Sequence, residues 1–357
     1  MKAQRQAFLP RLLWVVSLVT MITGLSWLDY HRGGIVAPFI GCAVLASRSS
    51  TADTLIFGSS RTGTAFDAFY MQTIFAKTNG LKKQTVQRLA LTDRDNISAY
   101  FLLRNAIMNG TSPSVVVLEL MFRKEGEKAD RVEFFQKRRA NILRMGELPV
   151  LREVFHSNTK LWDLGTIVSP YVDRYTALIE GFRQDPKGKK WRLSRCEGLK
   201  DWTRGGRWVA GEHEASGGVN SEIKRTRNAL KSREHQVLEK PNKWKIWAPQ
   251  TMTMTNLGLD DPARAWEIDA IRNFIELAEN AGAKVILANL QGYNLQLSDV
   301  DRRNIERLFP SATIFDGTES PDSILHSYWR DPAHMSKAGS KLTSALLVQK
   351  IRAVYKQ

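Results

Sequence analysis

Apolar residues recur along this chain in two rhythms. Short unbroken runs, Thr54 to Phe57, Val86 to Leu91, Val115 to Met121 ("VVVLELM"), Lys284 to Leu290 and Thr313 to Asp316, have the length and content of strands buried on both faces. Helix-compatible stretches with caps and stops lie between them. One runs from about Ala65 to Lys77 and closes near Gly80; the next starts at Asp95 and stops at Gly110. After a long interval come Pro262 to Asn280 before Gly282, Val300 to Leu308, and Ser336 to Tyr355. Strands alternating with helices imply an α/β sandwich with a mostly parallel sheet covered on both faces.

The rhythm fails in two places. From residue 123 to 261 the sequence is charged and irregular, which reads as a large insertion folded over the sheet. Five of the ten tryptophans fall between Trp191 and Trp247 in this stretch, so it is more than a linker. At the other interruption, Lys2, Arg5 and Arg11 precede an uncharged apolar run of seventeen residues, Leu12 to Leu28. That pattern predicts an N-terminal transmembrane helix with a cytoplasmic N-terminus and an exported remainder. Trp14, Trp27 and Tyr30 suit membrane interfaces, and no small-residue cleavage site follows closely, so an uncleaved signal anchor is expected over a cleaved signal peptide. The domain plan is therefore 1–32 N-terminus and anchor, 33–50 apolar linker, 51–122 with 262–357 the framework, and 123–261 the insertion. It implies a single-pass inner-membrane protein with a periplasmic main domain.

Charge narrows the partners. The formal net charge is +16, from 52 Lys+Arg against 36 Asp+Glu, which favours an anionic partner. No zinc-finger spacing, basic-zipper pattern or aromatic RNA-binding motif occurs, so nucleic acid is not expected. Cys42 and Cys196 cannot make a disulfide framework.

The first strand ends in Gly58-Ser59-Ser60-Arg61, and this turn carries the candidate chemistry. Gly58 to Gly63 has the spacing of a phosphate-binding loop, but Thr64 and Ala65 stand where Lys and Ser/Thr are needed, and the cation for the phosphates is missing. A nucleophilic serine needs a histidine to take its proton and a carboxylate to orient that histidine. Among six histidines, His334 in "RDPAHMSKAG" has Asp331 three residues earlier across a proline-containing turn, just before the last helix. His326 is a rival without an equivalent local partner.

These two blocks, Gly-Ser-Ser after the first strand and Asp-x-x-His before the final helix, resemble the SGNH (GDSL-type) hydrolases. Ser59 stands where the family has Asp. The Gly-Ser-Ser form is similar to a membrane-anchored branch that includes D-alanyl-lipoteichoic acid transfer and alginate O-acetyltransferase-like proteins. The resemblance covers roughly residues 50 to 122 and 262 to 355. It implies an SGNH-like three-layer sandwich with Ser60 as nucleophile, His334 as general base and then acid, and Asp331 as its orienter. It also implies no metal or diffusible cofactor, and a membrane-bound O-acyltransferase as partner.

The family's oxyanion blocks depart here. No glycine lies between Leu81 and Asn109, and Glu119 ends the third strand where the family has an amide. Ser60 N–H, Asn96 and Thr92 are the remaining oxyanion candidates, and Asn289 reads as a turn residue. Ser59 shapes the turn. Arg61 is a candidate contact to an anionic substrate, or a surface ion pair. Trp191, Trp202 and Trp208, interleaved with cations, suit a polysaccharide, including an acidic one, or else form a core of their own. The expectation is a serine O-acetyltransferase acting on a cell-envelope or secreted polysaccharide. An esterase using the same residues, or a non-catalytic glycan-binding scaffold, is the alternative.

Overall fold

The computed structural model describes residues 50–78, 84–90, 96–122, 215–238, 253–261, 264–290, 292–293 and 295–356, with Ala46, Ser47 and seven residues between 13 and 24. The chain divides into two compact units, Met1–Cys42 with Asp130–Arg192, and Ala43–Ala129 with Leu193–Gln357. All the elements named below belong to the second.

Five strands form one parallel sheet: β1 (Thr54–Gly58), β2 (Val86–Ala90), β3 (Val115–Glu119), β5 (Lys284–Asn289) and β7 (Thr313–Asp316), in the order β2-β1-β3-β5-β7. Two minor pairs complete the strands. β4 (Thr253–Met254) pairs with β6 (Leu295–Gln296), and β8 (Trp329–Asp331) forms an antiparallel hairpin with β9 (His334–Met335). The sheet is buried because its residues are apolar on both sides. Ile56, Val115, Val117, Ile286 and Ala288 point into one core with Phe66, Met71, Ile74, Leu347 and Ile351. The alternate residue Phe57 meets Phe274 edge-on at 5.4 Å on the opposite face.

Helices α1 (Ser60–Ala65), α2 (Ala68–Ala76) and α7 (Lys337–Tyr355) cover the first face. Helices α3 (Asn96–Met108) and α5 (Ala265–Asn280) cover the second. Helix α6 (Asp299–Leu308) lies between β6 and β7 in the chain. The helix expected from Ala65 to Lys77 is α2, which starts three residues later, and a short helix not expected from the sequence, α1, precedes it. Phe66 and Asp67 leave helical geometry, and the Asp67 carboxylate caps α2 by accepting the Tyr70 N–H at 3.0 Å. Beneath this break the fully buried Arg88 donates to the Phe66 carbonyl, and burial lowers its guanidinium to about 10.

Within the segment read as an insertion, α4 (Val219–Leu238) packs along α7 and buries Val219, Ile223 and Leu230 in the same core. Its buried Glu222 accepts the Tyr70 hydroxyl and the N–H groups of Ser216 and Gly217, which ties the helix start to α2. Burial and this carboxylate push the Tyr70 phenol well above its ordinary range.

The expected N-terminal transmembrane helix requires correction. Of Leu12 to Leu28, the described residues are Leu13, Trp14, Val16, Ser17, Thr20, Met21 and Gly24, and among the described residues no helix is long and apolar enough to cross a membrane. Length gives the physical reason: seventeen helical residues rise about 26 Å against a hydrocarbon core of about 30 Å. The signal anchor, the single-pass inner-membrane topology and the periplasmic placement inferred from it fall with that helix.

Candidate active site

The strand order reverses direction between β1 and β3: the chain leaves β1 for β2 on one side and returns to β3 on the other. In open parallel sheets this is where loops diverge at the carboxyl ends and leave a crevice. Ser60 sits there, two residues beyond β1, as the first residue of α1.

The turn that presents it is tightly made. Ser59 is fully buried and is the N-cap of α1; its hydroxyl oxygen accepts the Arg61 N–H at 3.1 Å. The same hydroxyl donates to the Glu119 carboxylate at 2.9 Å, and the Ser59 N–H donates to Glu119 Oε2 at 2.7 Å. The two serines therefore differ sharply. Ser59 is spent on the turn, whereas the Ser60 hydroxyl faces out of it.

The partner loop is the β8–β9 hairpin, in which Asp331 pairs with His334 across Pro332 and Ala333. Asp331 Oδ1 accepts the N–H groups of Ala333 and His334, each at 3.0 Å, so the carboxylate closes its own turn. Two further hydrogen bonds hold the hairpin in place. The Trp329 indole donates to the Ser323 carbonyl at 2.7 Å, and the Tyr293 N–H donates to the Pro332 carbonyl at 2.9 Å. The close approach of Tyr293 depends on Gly292, whose φ is +136° and where a Cβ would lie 2.7 Å from the Pro332 oxygen.

His334 Nδ1 lies 2.8 and 3.0 Å from the two Asp331 oxygens, and its Nε2 lies 3.0 Å from Ser60 Oγ. An ionised carboxylate only accepts, so Nδ1 carries the ring proton and Nε2 presents its lone pair to the serine hydroxyl. The result is a Ser/His pair with a carboxylate behind it, a hydrolase-type arrangement that can draw a proton from Ser60 as it attacks an acyl carbon. Arg330 also donates to Asp331 Oδ2, through Nε and Nη2, each at 3.1 Å. Burial alone would raise the Asp331 carboxyl. The Ala333 N–H, the His334 ring and Arg330 outweigh it and hold the group below the usual aspartate range.

That depression has a sign. A carboxyl held low in the folded state stabilises it above the unfolded value, about 3.9 for aspartate, and the contribution vanishes as pH falls through the folded value. The thermal midpoint of the wild type should therefore exceed that of Asp331→Asn near neutral pH, and the gap should close in acid. Because the Asp331 side chain is 37% exposed, solvent screening keeps this gap small. Melting curves of the two proteins across this range check it; a gap that widens in acid would contradict the assigned interactions.

The remaining candidates divide. Arg61 is buried and donates to the Leu290 carbonyl at 3.4 Å, across the end of β5. Asn96 is buried at the start of α3, where one N–H of its amide donates to the Met121 carbonyl at 3.0 Å. The Ser60 N–H has no acceptor among the described residues. Asn289 is no turn residue: it ends β5, fully buried, and donates to Asp316 at 3.0 Å. His326 is buried against Tyr293 with Nδ1 3.9 Å from Glu234, while the bond to Ser60 is made by His334. Trp191, Trp202, Trp208, Thr92, Cys42 and Cys196 lie outside the described residues.

In the sequence Glu119 reads only as the loss of an amide. It is 1% exposed and accepts from Ser59 and from Thr62, whose hydroxyl lies 2.6 Å away. The signal for it was a carboxylate placed at the end of an otherwise apolar strand. In comparison with known proteins, no family model matches this chain and no curated protein matches it.

Proposed function

We propose that the protein is a serine esterase of the SGNH type that cleaves an O-acyl ester, in the first place acetyl, from a polysaccharide. The observation that carries the reading is the 3.0 Å contact between His334 Nε2 and Ser60 Oγ, with Asp331 on the opposite ring nitrogen. Ser60 Oγ attacks the ester carbonyl while Nε2 takes its proton, and the Ser60 N–H faces the oxyanion that forms. Collapse breaks the bond to the sugar oxygen, which leaves with the proton from Nε2. Water then attacks the acyl-enzyme by the same route and releases acetate. A sugar hydroxyl in place of that water would make the reaction a transfer. His334, at 24% side-chain exposure, is reachable by water, which supports hydrolysis. The net charge of +16 supports an acidic polymer as the substrate.

The test is incubation with O-acetylated acidic and neutral glycans, following both free acetate and acetyl on added sugar. The reading expects Ser60-dependent acetate release, faster on the acidic glycan. Acetyl recovered on the sugar with little free acetate would reassign the protein as a transferase, and neither product would overturn the enzymatic reading.

A further inference from the structure

We infer that Glu119 is a positioning residue for catalysis, a buried carboxylate that holds the nucleophile turn in its reactive shape. The inference rests on Ser60 being the nucleophile. Glu119 is the last residue of β3, the strand across the crevice from β1, and its side chain crosses to the β1 turn. Oε2 accepts the Ser59 N–H at 2.7 Å, the Ser59 hydroxyl at 2.9 Å, the Thr62 hydroxyl at 2.6 Å and the Thr62 N–H at 3.3 Å; Oε1 accepts the Ser59 hydroxyl at 2.9 Å. Those donors flank Ser60 on both sides and leave Ser60 itself untouched.

A buried carboxylate with no cation among its described partners is expensive unless donors surround it. Here two hydroxyls and two backbone N–H groups do so, and all of them belong to the turn that carries the nucleophile. Gly58 makes the approach feasible: a Cβ there would sit 2.0 Å from Thr62 Oγ1 and 2.6 Å from Glu119 Oε2. Three sequence features that look independent, a glycine, a threonine four residues later and a glutamate sixty-one residues on, thus describe one contact. A neutral apolar residue at 119 would leave the Ser59 and Thr62 donors buried and unpaired, and the turn would relax to find acceptors. Because Ser60 Oγ must stay within hydrogen-bond reach of Nε2, a shift of about 1 Å at the turn would slow acylation by about 100-fold.

The experiment compares Glu119→Gln, Thr62→Val and their double variant with wild type and with Ser60→Ala, by steady-state turnover of a p-nitrophenyl acetate series. Glu119→Gln keeps the shape and loses two acceptor lone pairs and the charge. The expected result is a fall in kcat of about 10-fold to about 100-fold with KM near wild type, as for a group that acts through the nucleophile and not on the substrate. The double variant should be no slower than Glu119→Gln by more than a few-fold, because both changes break one cluster. Thr62→Val carries the test alone should Glu119→Gln fail to fold. An unchanged kcat in a folded Glu119→Gln or Thr62→Val protein, with Ser60→Ala inactive, would overturn the role of Glu119 while leaving the nucleophile assignment intact. An active Ser60→Ala would overturn the nucleophile assignment itself.

Discussion

Ser60→Ala should lower turnover of a small activated acetyl ester by about 10,000-fold or more and leave the fold as it is. Both halves follow from the turn. Among the described residues the Ser60 hydroxyl bonds only to His334 Nε2, so its removal deletes the nucleophile and nothing else. The cap, the Glu119 contacts and the Arg61 N–H bond all run through Ser59 and Thr62 and survive. Stability should therefore stay within about 0.5 kcal/mol of wild type, as for a surface change without structural partners. Ser59→Ala should behave in the opposite way, destabilising the turn while retaining a nucleophile. Parallel melting curves and labelling with a serine-directed phosphonate separate the two. Persistent labelling of Ser60→Ala at the wild-type rate would refute the assignment.

His334→Ala should lose between about 100-fold and about 10,000-fold, the usual worth of a positioned general base. The loss should not compound with Ser60→Ala, since the two groups act on one proton. The ring is partly open to solvent, so its removal leaves a gap that added imidazole can enter. Partial recovery of turnover with millimolar imidazole in His334→Ala, and none in Ser60→Ala, is the expected pattern. Asp331 would survive that substitution with its two backbone donors, so the hairpin should keep its turn. Full activity in His334→Ala would transfer the base role away from the ring that contacts Ser60 Oγ.

The parallel sheet could be read from the sequence because its strands are short, β-branched and separated by clear helix stops. Gly110 and Gly282, the stops read after α3 and α5, do take left-handed backbone angles, with φ of +89° and +82°. What could not be read was set by tertiary partners. The break at Phe66–Asp67 depends on a carboxylate capping its own helix and on Arg88 reaching from the next strand. The β8–β9 hairpin is too short to show a period, although Asp331-Pro332-Ala333-His334 announced its turn. The approach of Ser60 to His334 was expected from chemistry, since a serine needs a base. Glu119 was missed because its partners lie sixty residues away and no local pattern joins them. The membrane helix rested on a run at the short end of what spans a bilayer, and among the described residues no helix is long and apolar enough to cross one.

The most direct measurement is mass-spectrometric capture of the acyl-enzyme. The wild-type protein is incubated briefly with an activated acetyl ester, quenched in acid and digested, and the peptide spanning Phe57 to Arg61 is sequenced. The mechanism predicts one acetyl group on Ser60, absent from Ser60→Ala and strongly reduced in His334→Ala. Acetyl on Ser59, or a peptide that stays unmodified while the ester is consumed, would contradict it.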